Sequence, residues 1–370
     1  VPALEYKATV GGGYGFGFTG PNPGLKPEFA KSYEFGTELS FFNDRLGADI
    51  TVYRKETEDQ IINDIRGSYS TGYVLFNLNG GVTRNQGLEI TLRGTPFQGD
   101  GFAWDILANF ESSSGKVLKL PNELPETYVS DTWLFGNVRN GNSVGQSTRS
   151  LTGLFYLRNN AGDILISPTN GLPLRSTVFF DAGYDRQPDF SIGINNTFRY
   201  KNLSLSFLLD MRKGGDVLNA TEQYLTARGL SNLTLDRKDP RIVKGVFQDG
   251  KENTATPTQN NIVVTPYYQN AYYTAISEEL FIEKDINWIR LKDVTVNYKL
   301  PAKLLNRQKL VKNASVFVTG TDLFLITNYT GLDPVVNGNT AAVGGSGSAG
   351  IDFGNFPMPI GLNFGIRIGL

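Results

Sequence analysis

The side chains able to do chemistry in this 370-residue sequence are mainly carboxylates, arginines and tyrosines, because it contains no Cys and no His. That absence excludes thiol catalysis, disulfide frameworks, Ser-His-Asp triads and the common histidine metal sites. Seven carboxylates (Glu34, Glu38, Asp49, Glu89, Asp105, Glu111 and Asp210) and three arginines (Arg93, Arg212 and Arg367) stand at alternate positions in runs otherwise rich in apolar residues. Carboxylate pairs serve as acid and base in glycoside hydrolysis when held at a defined separation. No spacing here defines one, so these groups read as a hydrated wall and no catalytic residue is assigned. Tyr267, Tyr268, Tyr272 and Tyr273, with Trp133, supply flat rings in stretches without strand periodicity. Such rings suit stacking on sugar, packing against a protein lid, or packing within their own loop. No cofactor is expected. Calcium in the acidic loops has no Asp-x-Asp-x-Asn-Gly spacing to support it.

Those residues need a scaffold, and the patterning describes one. Period-2 alternation, which sends successive side chains to opposite faces of a strand, dominates the chain. In 31–42, Tyr33, Phe35, Thr37, Leu39 and Phe41 share one face, and Ser32, Glu34, Gly36, Glu38 and Ser40 the other. Leu46, Ala48, Ile50 and Val52 alternate with Gly47, Asp49, Thr51 and Tyr53. Leu88, Ile90 and Leu92 alternate with Glu89, Thr91 and Arg93, and the pattern returns in 102–111, 192–211, 294–298, 316–318 and 360–370. Two environments generate it: a soluble antiparallel sheet with one wet face, or a membrane barrel with lipid outside and a polar lumen inside.

Three features favour the barrel. The runs reach ~10 residues, enough to cross a bilayer at a tilt, where soluble strands average five or six. Aromatic residues recur near strand ends, at headgroup level. Links alternate in length: 43–45, 94–101, 201–202 and 301–312 are short or moderate, whereas those near 54–82, 112–189, 213–286 and 321–359 are long. Short periplasmic turns and long extracellular loops are the barrel arrangement. Roughly ten strands are expected from the alternation, with a weak strand in 1–10 and a further pair in 150–190. No run approaches the ~18 apolar residues of a membrane helix. The formal charge of −1 leaves no basic stripe for nucleic acid.

Several local signatures resemble SusC/RagA-type TonB-dependent transporters. They are Asn22-Pro23-Gly24-Leu25-Lys26-Pro27-Glu28 with Tyr33-Glu34-Phe35-Gly36, Asn85-Gln86-Gly87-Leu88-Glu89, Asp185-Arg186-Gln187-Pro188-Asp189 and Arg212-Lys213-Gly214-Gly215. Further on come Trp288-Ile289-Arg290-Leu291 with Tyr298-Lys299-Leu300-Pro301, then Gly320-Thr321-Asp322-Leu323-Phe324 with Tyr329-Thr330-Gly331-Leu332-Asp333-Pro334, then Gly350-Ile351-Asp352 with Phe356-Pro357. Asp322 stands where the family pattern has Asn. The resemblance implies an all-β fold, a transmembrane antiparallel β-barrel of about 22 strands of which residues 1–370 form about the C-terminal half. The implied function is import of oligosaccharides or peptides across the bacterial outer membrane, with a SusD-like lipoprotein as lid. TonB would act through an N-terminal part outside this sequence, as would the plug and the remaining barrel segments. The competing reading is a non-importing pore or secretion-associated barrel without TonB coupling; an enzyme on a soluble β scaffold is a distant third.

Overall fold

The computed structural model describes residues 4–7, 13–16, 19–67, 70, 72–121, 124–130, 137–269, 271–274, 276–305, 311–335 and 349–369. Nine strands form one antiparallel meander in which every hydrogen-bonded neighbour is also the neighbour in sequence. They are β1 (Phe29–Phe41), β2 (Leu46–Arg66), β3 (Leu75–Gly99), β4 (Phe102–Lys119), β5 (Phe190–Tyr200), β6 (Leu203–Lys213), β7 (Trp288–Lys299), β8 (Asn313–Thr327) and β9 (Gly361–Gly369). The sheet is open, with β1 and β9 as its edges. Among the described residues Leu4–Lys7 pairs only with Gly13–Phe16, so there the weak strand expected in 1–10 lies in a separate hairpin and adds no stave to the wall.

Register carries the alternation across the sheet. Leu39, Ala48, Leu92, Ala108, Ile194, Leu209, Leu291 and Phe324 lie directly opposite one another from β1 to β8. One residue along each of the first seven strands, the other face reads Glu38, Asp49, Thr91, Asn109, Gly193, Asp210 and Arg290. The apolar face is bare: Phe35 and Phe364 are each 72% exposed and Ile366 is 68% exposed. Apolar surface left open over a whole sheet marks contact with lipid or a partner rather than water. On β4 the apolar stretch from Phe102 to Phe110 covers about 27 Å of strand, or about 20 Å along the normal at a ~40° tilt, close to the apolar band of an outer-membrane barrel. The polar Asn196 on this face does not stay unpaired, because the Trp104 Nε1–H donates to its Oδ1 at 3.1 Å.

At one end the links are tight, as at Asp100-Gly101, where both residues take positive φ (51° and 78°) and close a two-residue hairpin. At the other end the strands run past the bounds read from sequence. Residues 54–66 and 75–82 are paired strand, so the link near 54–82 shrinks to 67–74. β4 likewise continues to Lys119 and β8 to Thr327. Beyond the hydrocarbon both faces are wet, so polar residues replace the apolar ones while ladder hydrogen bonds persist.

The three remaining long connections, 120–189, 214–287 and 328–360, fold into a body of their own. Thr127–Ser130, Val138–Asn142, Ser150–Gly153 and Phe180–Asp185 make a four-stranded sheet, so the pair expected in 150–190 exists but lies outside the wall. Val217–Asn219 is flanked by Ile282–Glu283 and by Ile351–Asp352. The helix Ala220–Ala227 starts at Asn219, whose side chain accepts the Glu222 amide, the usual way an N-cap satisfies a free amide. One apolar core joins all three connections: Val138, Leu151, Phe155 and Tyr184 from the first, Leu218, Ala220, Phe281 and Ile282 from the second, Ile351 from the third.

Candidate functional site in the long loops

The loops meet the wall at a buried charged junction on the polar face. Arg290 on β7 is 3% exposed and donates through Nη2 to Asp333 Oδ1 at 2.5 Å, with Asp322 Oδ1 at 3.4 Å from Nη1. Asp333 also accepts the amides of Val335 (2.9 Å) and Met358 (3.2 Å). Burial works to raise the Asp333 carboxyl, but the Arg290 hydrogen bond, those two amides and the Arg290 charge outweigh it and hold the group below the usual aspartate range. Beside it the Tyr329 hydroxyl donates to Asp352 Oδ2 at 2.6 Å, and burial pushes both groups up. Val217, Ile286, Trp288 and Tyr329 form the apolar floor of this junction. Both ends of the last connection are therefore pinned inward against the polar face.

A second junction joins the first two connections. Asp189 donates its amide to the Lys213 carbonyl (2.8 Å), Arg212 Nη2 donates to the Arg186 carbonyl (2.7 Å), and Asp185 and Asp216 exchange hydrogen bonds. Gly215 has φ +90°, and a Cβ there would stand 2.7 Å from the Arg186 carbonyl oxygen. Gly215→Ala is expected to lower stability by about 2 kcal/mol through left-handed strain and crowding, read as a drop in the thermal midpoint; an unchanged midpoint would contradict the packing described.

Within the loop body, two adjacent buried carboxylates gather segments far apart in sequence. Glu278 (1% exposed) accepts from Arg175 Nη2 at 2.5 Å, Asn137 Nδ2 at 2.7 Å and Gln223 Nε2 at 2.8 Å. Glu279 accepts from Arg158 Nη2 at 2.6 Å and from the Tyr156 amide at 3.1 Å. Burial raises the Glu278 carboxyl above its ordinary value despite Arg175. A raised carboxyl favours folding fully below the unfolded value of about 4.3 and loses that contribution as pH climbs through the folded value. Loop-body stability is thus expected to fall as pH rises from about 4.3, and Glu278→Gln to flatten that slope. Thermal melts at stepped pH check this; identical slopes would refute it.

Along the wall, the polar-face residues pair mainly with one another. Arg93 bridges Glu38 (2.6 Å) and Asp49 (2.9 Å). Asp105 holds Arg199 and accepts from Thr95 Oγ1 at 2.7 Å. Asp210 accepts from Trp288 Nε1 at 3.3 Å, and the Arg212 guanidinium lies 4.9 Å from the centre of the Trp288 ring. Arg367 lies over the Phe317 ring. Glu89 and Glu111 face each other across β3 and β4, and Glu34, Glu89 and Glu111 have no ion pair among the described residues.

The comparisons with known proteins agree with this geometry. Residues 4–133 match the family described as TonB dependent receptor-like, beta-barrel. TonB-dependent receptor P3 of Formosa agariphila is 25% identical over 92% of this chain and 34% of its own length. TonB-dependent receptor SusC of Bacteroides thetaiotaomicron is 20% identical over 94% of this chain and 32% of its own. The solved structure of the RagAB peptide transporter covers 100% of this chain and 38% of the other, with a TM-score of 0.69 and 19% identity, a likeness of fold. Along most of its length the chain is similar to TonB-dependent receptors, SusC among them, and it shares the barrel fold of the RagAB structure. It spans about a third of the length of these curated relatives and belongs to the outer membrane. The relatives are receptors and transporters rather than enzymes.

The receptor signatures acquire physical roles once placed in the structure. Arg290, Asp322, Tyr329, Asp333 and Asp352 come from three of them and converge on one buried junction, although nothing in the sequence marks them as buried. Asp322 keeps the left-handed φ of +51° that Asn and Asp tolerate best, at an irregularity in the β7–β8 ladder, and adds a charge 3.6 Å from Lys292. Gly87 leaves room for Tyr53, whose hydroxyl would lie 2.6 Å from a Cβ there. Among the ring candidates, Tyr267 packs edge-on to Tyr268 and Tyr272 to Tyr273. Tyr267 and Tyr268 are 58% and 82% exposed, while Tyr272 and Tyr273 are half-buried. Trp133 lies outside the described residues.

Proposed function

We propose that this chain supplies wall and external loops to an outer-membrane importer of oligosaccharides or peptides. In this reading TonB energises transport through the part of the protein beyond this chain, and a SusD-like lipoprotein closes the outer mouth. The observation that carries it is the two-faced meander whose three long connections merge, at one end only, into a single body. The apolar face meets lipid. The polar face, with Glu34, Glu38, Asp49, Glu89, Arg93, Asp105, Glu111, Asp210, Arg212 and Arg367, lines the lumen around a plug. The loop body stands at the outer mouth, where Tyr267 and Tyr268 offer exposed rings to substrate or lid.

Two measurements test this. Nitroxides placed singly on the full-length protein at Ile90, Leu92 and Val296 are expected to collide with membrane-dissolved oxygen, and those at Glu89, Thr91 and Thr295 to do so far less. A flat profile would remove the facing assignment. Cells carrying the full-length protein are expected to accumulate labelled oligosaccharide or peptide only while the inner membrane is energised. Uptake indifferent to an uncoupler would defeat the importer reading.

A further inference from the structure

Just above the apolar band, the outward face of the wall carries a basic pocket that the import reading does not use. On β3 the outward positions run Leu88, Gln86, Arg84, and on β4 they run Phe110, Ser112, Ser114, Lys116. Register places Gln86 beside Ser114 and Arg84 beside Lys116. Past the top of β5, where β4 would lose its neighbour, 145–148 runs alongside instead: Val117 donates to the Gln146 carbonyl at 2.9 Å, and Gly145 donates to the Val117 carbonyl at 2.8 Å. The space between is a pocket of about 240 Å³ lined by Arg84, Gln86, Ser114, Lys116, Gln146 and Ser147, with glycines between them and no acidic residue.

The electrostatics select an anion. Arg84 directs Nε and Nη2 at Glu56 Oε2, both at 3.2 Å, and Arg54 shares that carboxylate at 3.8 Å. Lys116, beside Arg84, has no ion pair among the described residues, so Glu56 pairs with two of these three cations and leaves the third uncompensated. A guanidinium, an ammonium, two hydroxyls and two side-chain amides around one small space match the oxygen-rich tetrahedral phosphate better than a planar carboxylate.

Height selects the source. The lower lip, Gln86, is two residues beyond Leu88, about 7 Å along the strand and about 5 Å along the normal at a ~40° tilt, which reaches the headgroup layer of roughly 5–8 Å outside the hydrocarbon. The pocket opens on the same face as Leu88 and Phe110, away from the lumen. We propose that it binds a phosphate group, supplied by the headgroup of an outer-leaflet lipid. The proposal rests on the assignment of the apolar face to lipid, which the nitroxide profile at Ile90 and Glu89 reports independently of any bound phosphate.

Native mass spectrometry of the detergent-solubilised full-length protein provides the test, with phosphatidic acid as phosphate probe and a neutral diacylglycerol of the same chains as control. Retention of phosphatidic acid over the control is expected, weakening about tenfold in Lys116→Gln and in Arg84→Gln as charge-assisted hydrogen bonds are lost. Lys55→Gln, on the opposite face of β2, is expected to leave it unchanged. Heat-modified gel mobility confirms that each variant remains folded. Retention unaffected by either pocket substitution would overturn the site. Inorganic phosphate binding to the pocket while phosphatidic acid does not would overturn the lipid as its source.

Discussion

Replacing Arg290 with methionine is expected to cost about 3–5 kcal/mol, the penalty of leaving a buried carboxylate without its partner. Asp333 is 4% exposed and keeps only two backbone amides once the guanidinium is gone. The loss concentrates where Arg290 holds the last connection to the wall, so limited proteolysis should open 328–335 and 349–360 before any wall strand. A second substitution separates charge from shape. Arg290→Met combined with Asp333→Leu should recover most of the loss, because an apolar pair removes the stranded charge. Asp322→Asn should cost under about 1 kcal/mol, since Asp322 is less buried and its contact with Arg290 is long. Protease resistance unchanged in Arg290→Met would show that the junction does not hold the connection.

Phe155→Ala is expected to cost a similar amount, about 3–5 kcal/mol, by leaving a cavity in the core of the loop body. Phe155 is fully buried and meets Phe180 and Tyr184 edge to face at 5.7 and 5.1 Å. The location of the damage is the sharper readout. Because Leu218, Phe281 and Ile351 share that core, amide exchange should speed up in 214–220, 281–283 and 351–353 together with 150–185. Acceleration confined to 150–185 would mean three independent loops.

The wall was legible in the sequence because a barrel strand has two solvents, and the alternation of Leu88 through Arg93 records both. The short links at 43–45 and 201–202 and their long counterparts added direction. Strand ends were less legible. The run Arg54-Lys55-Glu56-Thr57-Glu58-Asp59-Gln60 has no apolar side, so it reads as loop even though it is hydrogen-bonded strand above the hydrocarbon. The loop body left still less trace. Its strands are two to six residues long, too short for a period to emerge, and several pair across distant connections, as Leu165 does with Val246 and Leu218 with Ile351. Arg290 and Glu278 look in sequence like any surface charges. Only the contacts that bury them set them apart, and those contacts come from distant connections.

The open margins of the sheet have a bearing on biogenesis. Along β1 and β9, amides and carbonyls on the outer side lack ladder partners among the described residues, and each such group in a lipid interior costs several kcal/mol. A nine-stave panel therefore has no resting place in the bilayer by itself. It must enter already seamed to adjoining staves, or be held by an assembly factor that pairs its free borders until the cylinder shuts.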